Sequence, residues 1–167
     1  MLTNEDELRR LNNGPSTGER ARGVGLVRFF AHCAADAPEV LTRCKEVMRA
    51  VLVQNVERWP TDEEWHLLLP AWFVAACPGE ATVAQATQRW FELSEEEQSR
   101  LSPKLWSVGN WVYWFLPGER QWFWWDASNL DANTVEILVE VLGHPFPWGS
   151  LEWLLEASGA IKTEPDF

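Results

Sequence analysis

Glu63-x-x-His66 has the spacing that sets a carboxylate and an imidazole on one face of a helix, a unit that di-iron bundles use twice. Such a centre needs the second copy and further glutamates opposite. His32 and His144 have no acid three residues earlier. Glu63 and His66 therefore read as surface groups in a charged first turn, and neither a metal nor a cofactor is expected. His32-Cys33 is half of a thiol–imidazole pair, but adjacent residues on a helix point apart and cannot activate each other. Cys33 falls on an apolar stripe, where a thiol packs as a small hydrophobe.

Serine hydrolysis of the nucleophile-elbow type is not expected. Gly14-Pro15-Ser16-Thr17-Gly18 resembles a phosphate loop only in its glycines: the spacing is one residue short and no Lys-Ser/Thr follows. Gly23-Val24-Gly25 lacks the third glycine and the preceding strand of a dinucleotide fingerprint. Glu136 and Glu140 share a face of a strand or of a helix, with Asp126 and Asp131 nearby. Charge on the exposed side of an amphipathic element accounts for them without acid–base chemistry. No catalytic residue is assigned.

The unusual feature is the 12 tryptophans, seven of which lie between Trp106 and Trp148. An indole buries roughly 150–250 Å², so a few of them dominate whatever they pack against. Trp111, Tyr113 and Phe115 alternate with Val112, Trp114 and Leu116, and Trp122 and Trp124 alternate with Phe123 and Trp125. On strands, both faces would then be apolar. Either helices cover the sheet on both sides, or one face stays open as a binding platform. Trp111, Trp122 and Trp124 form the candidate partner-binding face, and Trp114 and Trp125 the candidate core.

Elements must hold these residues in place. Residues 4–11 read as a short helix capped by Asn4, broken by Asn12-Asn13-Gly14-Pro15. Leu26, Phe29, Phe30 and Cys33 recur at helical spacing within 19–35. Residues 38–56 carry the clearest amphipathic stripe: Val40, Leu41, Cys44, Val47, Met48, Val51 and Leu52. Thr61-Asp62-Glu63-Glu64 is a capping box, and Pro70 should kink or split the helix it opens. Further helices are expected over 82–93, from Ser94 to Ser102-Pro103, and over 148–157 with Gly159 just past the end. Segments 106–116 and 121–126 read as a β-hairpin around Pro117-Gly118-Glu119-Arg120. Residues 134–142 fit a strand or a helix, and their β-branched density favours a strand.

The expected fold is one α+β domain over residues 1–167. Its helical N-terminal two-thirds pack on a C-terminal antiparallel sheet, the aromatic hairpin plus a third strand, closed by a C-terminal helix. Net charge is −11, and phosphate backbones repel such a surface. Nucleic acid and anionic membranes are therefore not expected partners, whereas a basic protein partner is. The three cysteines form no CxxC pair, and the polar first residues do not read as a signal peptide. A cytoplasmic location follows as an expectation. The function that fits best is a non-catalytic protein-binding module, in its most concrete form a small intracellular antagonist or immunity-type protein. The alternative is an enzyme or small-molecule binder with an aromatic pocket between sheet and helices.

Overall fold

The computed structural model describes residues 2–100 and 105–167, with 99 and 100 by backbone alone. The elements run α1 (Asn4–Asn13), β1 (Gly25–Cys33), α2 (Ala37–Leu52), α3 (Asp62–Leu68), α4 (Ala71–Ala76), α5 (Glu80–Phe91), α6 (Glu95–Arg100) and α7 (Val108–Tyr113). Then follow β2 (Trp122–Asp131), β3 (Thr134–Val141), α8 (Gly149–Ser158) and β4 (Ala160–Asp166). The class is α+β, with an antiparallel sheet in the order β2-β3-β1-β4. No helix among the described residues is long and apolar enough to cross a membrane.

Strand β1 alternates cleanly: Val27, Phe29, Ala31 and Cys33 are buried, while Leu26, Arg28, Phe30 and His32 face the other way. β3 supplies Val135, Ile137, Val139 and Val141 to the same buried face. The stripe of α2 covers it, joined by Leu151, Leu154 and Leu155 of α8 in one contiguous apolar cluster. The opposite face mixes charged and apolar side chains and is part-exposed. Arg28 pairs with Glu136 at 3.4 Å, and His32 with Glu164 at 3.0 Å.

Residues 19–35 were expected to form a helix, and 25–33 form the strand β1. Phe29, Phe30 and Cys33 fit a 3.6 period, but the period of 2 decides, because β3 and β4 offer ladder partners on either side. The segment 106–116 is not a strand. Ser107 caps α7 by accepting from Asn110 N–H at 3.1 Å, and Val108, Trp111 and Val112 turn inward at helical spacing. The hairpin of the sheet is instead β2–β3, turned at Ala132-Asn133, where Asp131 accepts from Asn133 N–H at 2.7 Å. Residues 134–141 are a strand, as favoured. β4 adds a fourth strand that the sequence reading did not include. The helices of the N-terminal half follow expectation: the capping box at Thr61 forms, and Pro70 separates α3 from α4. α1 is capped by Thr3 rather than Asn4. The expected helix end at Ser102-Pro103 lies outside the described residues.

β2 is an edge strand, and its outer edge is closed by a helix. Glu7 of α1 accepts from Trp124 N–H at 2.6 Å, and Arg10 donates to the Trp124 carbonyl at 3.2 Å. Two side chains thus occupy the ladder positions that another strand would take, which blocks edge-to-edge pairing.

Candidate functional site

The three tryptophans assigned to a binding face are core. Trp111 and Trp124 are fully buried and Trp122 is 3 % exposed. Trp111 Nε1 donates to the Ser150 carbonyl at 2.9 Å, and Trp122 Nε1 donates to Ser150 Oγ at 3.0 Å. Both indoles thereby anchor α8. Rings stack continuously from Phe73 through Trp111 and Phe115 to Trp122, with centroids 4.5–5.6 Å apart. The short helices α4 and α7 bury few residues, Phe73 in one and Val108, Trp111 and Val112 in the other, so large rings supply the packing that longer helices obtain from many aliphatics. Trp125, expected in the core, is indeed buried, stacked on the Arg10 guanidinium at 4.8 Å. Trp114 is half-buried and lines a groove.

That groove is an aromatic surface left open among the described residues. Of α5, only Val83 is buried. Phe91 is 70 % exposed, Tyr113 46 % and Leu105 41 %. Two adjoining concavities of about 630 and 280 Å³ run between α5 and α7 and share Val83, Thr87 and Asn110. The first is walled by Ala84 and Phe91, the second by Trp106 and Trp114. The rim is acidic. Glu80 and Glu92 line the first concavity, and three more glutamates (Glu95, Glu96 and Glu97) follow in sequence, with Arg89 the one cation of residues 80–97. Gly109 lets two carboxylates close on the first turn of α7: a Cβ there would lie 2.8 Å from Glu80 Oε1 and 3.2 Å from Asp62 Oδ2. Carboxylates at that end oppose the positive end of the helix dipole.

No family model, curated protein or solved structure matches this chain.

The other candidate residues separate. His66 donates from Nδ1 to the Asp62 carbonyl at 2.6 Å, one helical turn back, rather than joining Glu63. No group of three or more His, Cys, Asp or Glu that could hold a metal occurs among the described residues. His32 and Cys33 point to opposite faces of β1, the imidazole to Glu164 and the thiol into the core. Gly14-Pro15-Ser16-Thr17-Gly18 carries the G-x-S-x-G spacing of a nucleophile elbow, against expectation. It follows a helix rather than a strand, and Ser16 Oγ accepts from Arg9 at 3.0 Å, so it builds no elbow. Glu140, expected on an exposed face, is fully buried. It accepts from the backbone N–H groups of Arg22 and Gly23, the latter at 2.6 Å.

Proposed function

We propose that this protein is a non-catalytic binding module that docks a basic, apolar-faced segment of another protein along the α5–α7 groove. The observation that carries the reading is the exposed set Phe91, Tyr113 and Leu105 in a groove that Glu80 and Glu92 also line. Interfaces concentrate affinity in a few aromatic anchors at their centre, and rim charges set approach and partner choice. The groove supplies the first and residues 80–97 the second. A basic partner also fits the net charge of −11. An antagonist that masks a basic effector is one protein of this kind.

Capture from the native host with the intact chain tests it. The captured protein should be basic, and its association should slow as salt rises. Phe91→Ala should weaken binding by about 2 kcal/mol or more, and Glu95→Gln with Glu96→Gln should slow association. Because Phe91 is exposed, its truncation should change folding stability by less than about 0.5 kcal/mol. Binding unaffected by Phe91→Ala and Tyr113→Ala together would overturn the assignment of the groove.

A further inference from the structure

A third cavity, of about 720 Å³, lies away from the α5–α7 groove, between the start of α1, the chain leaving α2, and the ends of β2 and β3. Its volume falls within the range of sites that enclose small organic ligands. Its walls are mostly apolar, contributed by Val56, Phe115, Pro117, Phe123 and Leu142.

Most of its polar groups already have partners in the chain. Thr3 caps α1 through Asp6 N–H, Gln54 donates to the Ala50 carbonyl, and Asn55 accepts from Glu57 N–H. Arg22 is paired with Asp6 at 3.1 Å. Arg120 differs. It is 5 % exposed and lines the cavity, with Phe123 and Phe115 rings 4.4 and 5.1 Å from its guanidinium carbon. Its bonds to Glu7, at 2.9 and 2.7 Å, and to the Trp122 carbonyl, at 3.0 Å, engage three of its N–H donors. A guanidinium has five such donors, so two take part in none of these bonds.

The charge of that acceptor follows from Glu7. The carboxylate already neutralises Arg120, so a second anion here would be buried without a counter-charge, which is costly. A neutral carbonyl takes the free donors without that cost. We propose that this cavity binds a small uncharged molecule with an apolar body and one carbonyl acceptor, such as a ketone, lactone or amide, seated on Arg120.

The test uses Nile red, an uncharged dye with a ring carbonyl that brightens in apolar surroundings, with the intact protein. Saturable binding at one site per chain is expected. γ-Decalactone should displace the dye at a concentration at least about tenfold lower than decanoate does at pH 7, the buried charge being the difference. Val56 and Leu142 are 45 % and 46 % exposed, so Val56→Trp and Leu142→Trp should fill the cavity mouth without unfolding the chain. Each should abolish the fluorescence gain, while Phe91→Ala should leave it unchanged. Binding that fails to saturate, that survives both fillings, or that decanoate displaces as well as the lactone would overturn the proposal. A signal lost in Phe91→Ala and kept in the filled variants would move the dye to the α5–α7 groove and overturn it as well. The competition in the parent protein decides the charge question even where a filled variant misfolds.

Discussion

Glu7 holds together three parts of the chain with one carboxylate: it receives two bonds from Arg120 and one from Trp124 N–H, all buried. Removing one partner of a buried ion pair leaves the other charge uncompensated, and such losses cost about 3–5 kcal/mol. Glu7→Ala should therefore lower unfolding free energy by about 3 kcal/mol or more, measured by urea denaturation. A change no larger than that of an exposed glutamate such as Glu96 would refute the role. The thiols make a second residue-scale prediction. Burial pushes Cys44 up to about 12, and it also raises Cys33 and Cys77. The thiolate is the reactive form. Native protein at pH 8 should leave Cys44 unmodified by iodoacetamide, and denaturation should release all three thiols, since all are free in the structure. Rapid native alkylation of Cys44 would mean that the α2 face opens far more often than its packing implies.

At the scale of elements, what the sequence made legible were the features written in local chemistry. The stripe of α2, the capping box of α3, the break at Pro70 and the β-branched run of β3 each need only near neighbours to be recognised. The misread elements depend on distant partners. Residues 25–33 satisfy both periods in part, and only the ladders to β3 and β4 make them a strand. Residues 108–113 are rich in aromatic and β-branched types, which favours a strand locally. Tertiary packing overrides that preference by burying Val108, Trp111 and Val112. Ser107 three residues before Asn110 was the available signal. Ser107→Ala should cost about 1 kcal/mol of stability through loss of the cap, read from the thermal midpoint, whereas a strand at 106–116 would be indifferent to it. The candidate site was misplaced for the same reason. Once 108–113 coils, Trp111 turns inward with Trp122 and Trp124. The aromatic surface then passes to Phe91 and Tyr113, on helices that the sequence pattern did not single out as sparsely covered. The excess of acidic charge, by contrast, is visible in composition alone, but its place beside Phe91 is not.

Across the whole molecule, charge both solubilises the chain and strains it. With a net charge of −11, carboxylates repel one another, and acid relieves that repulsion as they protonate. Carboxylates held by cations in the fold act in the opposite direction. Glu19 is held down to about 2, first by its bond from Arg9 at 2.8 Å, then by Ser16 N–H and by Arg10. Asp6 and Glu164 are lowered as well, led by their hydrogen bonds with Thr3 and Lys162 respectively. Glu19 ties the loop after α1 back to Arg9 and Arg10, and the same loop delivers the Arg22 and Gly23 N–H groups to buried Glu140. Its bond therefore supports the closure of the part-exposed sheet face and not merely a surface turn. In the unfolded chain Glu19 titrates near 4.5, its ordinary value. A folded value below the unfolded one means that the unfolded state takes up the proton first. The stabilisation is complete above about 4.5 and is lost as pH falls towards about 2. Glu19→Gln removes this one titration and leaves the general relief of repulsion in place. Thermal midpoints of parent and variant should differ most at pH 6 to 7, and the gap should narrow steadily as pH falls from about 4.5 to about 2. A gap that stays constant over that range would show that Glu19 holds no charge-dependent bond, and that acid acts on this fold through net charge alone.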